Sequence, residues 1–258
     1  MPDRLPTVPT PAPPADPWAG LRAFTAARIA LGRTGTSVPL REALAFRQAH
    51  AHARDAVYSE LEKERLLTEL QTFQLPVCHV RSQAGSRQHY LQRPDLGRHL
   101  HEDARRTLLA AAPAAAAVAV ILADGLSAEA LNRHGLPLLQ LLLPKLQQAG
   151  VQLAPLVLAE QARVALSDEI GALLRAQLVL ILIGERPGLS APDSLGAYFT
   201  YAPRPGLTDE ARNCVSNIRP EGLCYPAAAD KLFQLLQESL RRQLSGVALK
   251  DETGLLGE

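Results

Sequence analysis

Hydrophobic spacing divides the chain into two parts. In the second part three short apolar runs stand out, at 117–122, 151–158 and 178–183. The last is uninterrupted, the pattern of a strand buried on both faces in a parallel sheet covered by helices. Helical segments separate them. Ser127, following Asp124-Gly125-Leu126, suits an N-cap, and Glu129 falls near the positive end of the helix it opens. Ser167-Asp168-Glu169 repeats that cap-plus-acid pattern before a second helix. A last helix over 227–244 places Leu232, Leu236, Leu240 and Leu244 on one stripe and stops at Gly246. Strand, helix, strand, helix, strand predicts a doubly wound α/β domain over 107–258.

The first part has a different pattern. Residues 1–17 hold seven prolines among small polar residues, which predicts a disordered tail. Over 18–106 the pattern is mainly helical. Ser37 is placed to cap a helix through Leu40, Leu44 and Ala51 towards Val57, with Pro39 tolerated in its first turn. A charged helix follows at 60–71, then an irregular piece around Gln88-His89-Tyr90-Leu91. No internal repeat is visible.

Composition narrows the function classes. Apolar residues make up 47% of the 258 and aromatics only 4%, so a large core is built from Leu, Ala, Val and Ile. A formal charge of +1, with no basic run interleaved with aromatics, argues against nucleic acid as a partner. Cys78, Cys214 and Cys224 are odd in number and form no C-x-x-C pair, which points to a reducing cytoplasm rather than a disulfide framework or a zinc site. The run 107–123 is interrupted by Pro113 and falls short of the roughly 20 apolar residues a membrane span needs. A soluble protein with no apolar signal-peptide core is expected.

The familiar chemical fingerprints are missing. No G-x-G-x-x-G follows a strand, and no phosphate-binding G-x-x-x-x-G-K-[ST] occurs. Gly32-Arg33-Thr34-Gly35-Thr36 follows a helical stretch and reads as a phosphate loop or as a turn. His50 and His52, at i and i+2 on a helix, point about 200° apart and cannot share one ion. No nucleophile elbow is present. Asp124 lies where open α/β sheets bind ligands, but it also serves to make the turn before the Ser127 cap; both readings stand. The residues alone describe a ligand-binding α/β domain with no catalytic set and no metal site.

Six segments, in order, resemble the small subunit of ethanolamine ammonia-lyase. They are Ala27-Arg28-Ile29-Ala30-Leu31-Gly32-Arg33-Thr34-Gly35, His52-Ala53-Arg54-Asp55-Ala56-Val57, Tyr90-Leu91-Gln92-Arg93-Pro94-Asp95-Leu96-Gly97-Arg98, Asp124-Gly125-Leu126-Ser127, Gly184-Glu185-Arg186-Pro187-Gly188-Leu189 and Arg212-Asn213-Cys214-Val215-Ser216-Asn217-Ile218. The resemblance spans about 20–245 and implies a Rossmann-like C-terminal domain. It implies a role in the adenosylcobalamin-dependent radical deamination of ethanolamine to acetaldehyde and ammonia. In that family a TIM-barrel large subunit holds the substrate and the reactive face of the cofactor, while the small subunit covers the other side and is not catalytic alone. The family further implies a heterododecamer of six pairs. Cobalamin contacts carry over by motif to Val164, Glu185 and Cys214. No Asp is followed two residues later by His, so the resemblance implies base-on cobalamin. The proline-rich N-terminus shows no amphipathic targeting helix, which leaves packaging into a bacterial microcompartment open.

Each of the three residues has a plainer reading: Glu185 as the ion-pair partner of Arg186, Val164 as core packing, Cys214 as a buried thiol. Two other functions compete with the resemblance. One is an independent nucleotide- or cofactor-dependent α/β enzyme, which would need activity of the chain by itself. The other is a purely structural assembly subunit, for which changing Glu185 would not alter cobalamin affinity.

Overall fold

The computed structural model describes residues 16–25, 27–112 and 115–250. Most of the proline-rich tail expected over 1–17 therefore lies outside the described residues. Two compact units are present, Met1–His52 and Ala53–Glu258. In the first, Thr34 and Ser37 exchange backbone hydrogen bonds across a tight turn, at 2.8 and 3.2 Å. Helix α1 (Leu40–Tyr58) starts just beyond it. Ser37 lies in the turn, and the first intrahelical bond of α1 runs from Ala43 N–H to the Pro39 carbonyl, which puts Pro39 rather than Ser37 at the residue preceding the helix.

The second unit is a mixed α/β structure built on a six-stranded, mostly parallel sheet, with the order β1-β3-β2-β4-β5-β6 among the described residues. The strands are β1 (Val77–Arg81), β2 (Ala116–Ala123), β3 (Leu156–Glu160), β4 (Ala176–Gly184), β5 (Leu195–Tyr201) and β6 (Asn213–Ile218). β1 to β4 are mutually parallel, while β5 and β6 are antiparallel additions. Two of the three apolar runs became central strands within two residues of their expected ends. The third begins later than expected, at Leu156, with Leu153 making only an isolated bridge to Val118. β1, β5 and β6 were not anticipated, and β1 lies within the 18–106 region otherwise occupied by α1, α2 (Lys63–Leu70), α3 (Arg87–Gln92) and α4 (Glu102–Ala111).

Strand alternation sorts the core into two layers. Val118, Val120, Leu122, Leu180 and Leu182 face α2, α5 (Ala128–Gln148) and α7 (Tyr225–Arg242). Ala119, Ile121, Val179 and Ile181 face α4 and α6 (Leu166–Leu173). Covering both faces explains why the central strands are apolar throughout. Two expectations about helix ends need correction. α6 begins at Leu166 without a side-chain cap: the Ser167 hydroxyl donates to the Val164 carbonyl at 2.7 Å. α7 closes on Gln243, in the left-handed region at φ 58°, ahead of Gly246.

Candidate functional site

β2 and β4 are neighbours, with Ala123 opposite Ile183, and the chain leaves their carboxyl ends in opposite directions. From β2 it turns through Asp124-Gly125-Leu126 into α5 and back to β3. From β4 it runs through 185–194 to β5. Such diverging strand ends open a crevice in α/β sheets. Here main chain ties the two exits together at its base: Leu126 N–H donates to the Gly184 carbonyl at 2.9 Å. Gly184 is required for that approach, since an added Cβ would lie 2.6 Å from the Asp124 carbonyl oxygen and closer still to that of Ser127. Ser127 caps α5 as expected, accepting from Ala130 N–H at 3.3 Å. The resulting cavity, about 420 Å³, is lined by Leu126, Arg163, Val164, Glu185 and Tyr198 among others.

Val164 and Glu185 therefore meet on one cavity, while Cys214 does not line it and neighbours it only through Tyr198. Val164 lies in the turn between β3 and α6, packed against the α4/α6 layer. Its carbonyl accepts both Ser167 N–H, at 3.0 Å, and the Ser167 hydroxyl, so only the isopropyl group is offered as a wall. Glu185 follows β4, and its carboxylate accepts from the Ser194 hydroxyl and from Asn217 N–H, the latter at 3.2 Å. The described partners of Glu185 thus lie on the approach to β5 and in β6. Cys214 pairs with Tyr198 across β5 and β6. It is exposed, unlike the buried Cys78, but its thiol end is desolvated enough to push its pKa up. The Tyr198 hydroxyl donates to that sulfur and opposes the shift, while the Glu185 charge adds to it. Burial also pushes the Tyr198 phenol up.

Asp124 does more than make a turn. It is buried and accepts from Gln161 N–H at 2.9 Å and Ala162 N–H at 3.2 Å, stitching the end of β2 to the end of β3. Burial pushes its pKa up to about 6 despite those bonds and the Arg87 guanidinium 3.8 Å away. Asp168, expected as a helix-end acid, is instead half of a buried ion pair. Arg212, just before β6, grips it through two hydrogen bonds of 2.6 and 2.7 Å, and both side chains are 2% exposed.

Sequence reading missed Arg163, Tyr198 and Tyr90. Arg163 directly precedes Val164, and Tyr90 opens the 90–98 segment of the resemblance. Only the cross-strand pairing with Cys214 marks Tyr198, and that is invisible before the register is known. Among the described residues, no group of three or more His, Cys, Asp or Glu is arranged to hold a metal ion, and no helix is long and apolar enough to cross a membrane.

Comparison with known proteins gives one consistent result. The family model described as ethanolamine ammonia-lyase light chain (EutC) matches residues 15–250. The ethanolamine ammonia-lyase small subunit of Azotobacter vinelandii is 55% identical over 240 residues, covering 92% of this chain and 89% of the relative. That of Pseudomonas syringae pv. tomato is 52% identical over 247 residues, covering 95% and 86%. That of Ralstonia nicotianae is 53% identical over 239 residues, covering 92% and 88%.

Proposed function

The chain belongs to the ethanolamine ammonia-lyase light chain family, and from that premise we propose that its β2/β4 crevice helps to hold adenosylcobalamin against a large catalytic subunit. The observation that carries this reading is the convergence of Val164 and Glu185 on one cavity, whose lining residue Tyr198 pairs with Cys214. These three positions, separated by 21 and 29 residues in sequence, were chosen on motif alone.

The residues present suit a corrinoid. Its rim carries amide side chains around an apolar ring, so a fitting surface sets a few polar groups at the edge of an apolar wall. Val164, Leu126 and Ile183 supply the wall, Glu185 an acceptor, and the Arg163 Nε a donor that is buried without a partner. When bound, adenosylcobalamin supplies the radical that starts the deamination of ethanolamine to acetaldehyde and ammonia. This chain's part is to position and to exclude water. Glu185 is itself positioned by Ser194 and Asn217, which fixes the carboxylate at the crevice edge before any ligand arrives. The large subunit, a TIM barrel, carries the substrate and the chemistry. Six such pairs would assemble. A doubly wound, Rossmann-like reading of the sheet is supported by the opposite exits of β2 and β4.

Cofactor titration of the reconstituted two-subunit complex tests the proposal. Glu185→Ala leaves a desolvated amide unsatisfied and is expected to cost about 1–3 kcal/mol, a tenfold to hundredfold loss of cobalamin affinity. The rate at saturating cofactor is expected to persist. Glu185→Gln keeps one acceptor and is expected to be milder. A lower melting temperature with unchanged affinity would assign Glu185 to holding β5 and β6 together, the role of a purely structural subunit.

A further inference from the structure

Tyr90 is fully buried and lies between two arginines. Arg87 stacks on its ring at 5.1 Å and Arg163 at 4.6 Å, measured from the guanidinium carbon to the ring centroid. The two cations are not equivalent. Arg87 is engaged by the fold through two of its three nitrogens and through its charge: it donates to the Val57 carbonyl at 2.8 Å and to the Gly125 carbonyl at 2.6 Å, and faces Asp124, with Nη2 buried and unpartnered. Arg163 makes no ion pair among the described residues, and its Nε is buried without a hydrogen-bond partner. A buried donor left in that state is costly, and its presence calls for an explanation.

Arg163 is also held in place. Its backbone N–H donates to the Gly97 carbonyl at 2.8 Å. The absence of a side chain at Gly97 lets the arginine stem and the tyrosine ring close over it, for a Cβ there would fall 2.8 Å from the ring and 3.0 Å from the Arg163 stem. The Tyr90 hydroxyl donates to the Ala162 carbonyl at 3.0 Å, locking the ring. A guanidinium held over the Tyr90 ring, with no ion-pair partner among the described residues and its residue lining the same cavity as Val164 and Glu185, is a positive charge placed for an anion.

We infer that Arg163 is the anion-recognition group of the crevice and binds the phosphodiester of the cofactor's nucleotide loop. The inference rests on the cobalamin reading above. Cobalamin's rim is neutral amide, and the phosphodiester is its one anionic substituent; an uncompensated, stacked arginine selects that group over the amides. Glu185, an acceptor, meets the amide rim instead, so the two residues read different parts of one ligand.

The test is spectral titration of the reconstituted complex with adenosylcobalamin and with adenosylcobinamide, which lacks the nucleotide loop, in competition format. Arg163→Gln is expected to weaken cobalamin about tenfold to hundredfold and to leave cobinamide unchanged. Arg163→Lys, which keeps the charge without the planar guanidinium, is expected to fall between. Glu185→Ala is expected to weaken both corrinoids. If Arg163→Gln and Arg163→Lys weaken both ligands alike, or neither, the phosphodiester assignment is overturned, while loss of both ligands in Glu185→Ala preserves the crevice reading. Unchanged affinities in every variant overturn the crevice and the assignment together.

Discussion

The central parallel strands β2–β4 and the edge strand β6 share one sheet but are held by different forces. Leu122, Leu158, Leu180 and Ile181 are completely buried, and the central strands stay in place by removing apolar surface from water on both faces. β6 reads Asn-Cys-Val-Ser-Asn-Ile and buries only Val215 and Ile218. What pins it is polar: Arg212 on Asp168, Asn217 N–H on Glu185, and the Asn213 amide on the carbonyls of Gly246 and Leu249 at 3.2 and 2.9 Å. The crevice takes its wall from the first region and one edge from the second. A floor set by packing and a rim set by hydrogen bonds are the result.

The largest effect that tests this contrast is expected at Asp168. Asp168→Ala leaves the buried Arg212 guanidinium with only Thr200, the Leu207 carbonyl and the exposed Asp209, and breaking such a buried pair costs about 3–5 kcal/mol. Denaturant unfolding gives the loss. Native-state hydrogen exchange should then quicken over 213–218 more than over 178–183. Equal loosening of both would erase the distinction between the two halves.

Next comes pH. In the folded protein burial raises the Asp124 carboxyl to about 6, above its unfolded value near 4. Between those values the folded state binds more protons than the unfolded, so this group's contribution falls as pH rises and levels off above about 6. The full penalty is on the order of 3 kcal/mol. Unfolding free energies of the protein and of Asp124→Asn, measured from pH 4 to 7, should diverge with that slope. Parallel profiles would mean that Asp124 does not titrate there.

The smallest effect belongs to the cap of α5. Ser127→Ala removes the acceptor for Ala130 N–H and the hydroxyl donated to the Pro192 carbonyl at 3.3 Å. A loss of about 1 kcal/mol is expected, confined by hydrogen exchange to the first turn of α5. A loss several times larger would show that the packing of the parallel half depends on its polar exits.

Legibility in the sequence follows the same division. Burial on two faces writes itself as an apolar run, so β2 and β4 were visible, as were the Ser127 cap and the long helices. β1 alternates buried Cys78 and Val80 with exposed His79 and Arg81 at the sheet edge, and five residues of that pattern pass for loop. β6 was hidden because cross-strand bonds, not composition, define it, whereas β5, Leu-Gly-Ala-Tyr-Phe-Thr-Tyr, carried a legible apolar and aromatic run that was passed over. Among the site residues Val164, Glu185 and Cys214 came from motif. Asp168 was misread because nothing local tells a helix-end acid from one whose partner lies 44 residues away. Arg163 escaped because its meaning depends on Tyr90, which reaches it only through the fold.

The glycine contact at the base of the crevice has a consequence for how such a site can change. Where the exits of β2 and β4 touch, the approach is backbone to backbone, and any side chain at Gly184 collides with the carbonyls of Asp124 and Ser127. The depth of the recess is therefore not a variable that point substitution can explore at that position. Selection, natural or in the laboratory, works instead on side chains that line the recess, among them Leu126, Arg163, Arg186 and Tyr198. A library confined to those positions would redraw which substituents the crevice tolerates while leaving how far a ligand can sink unchanged.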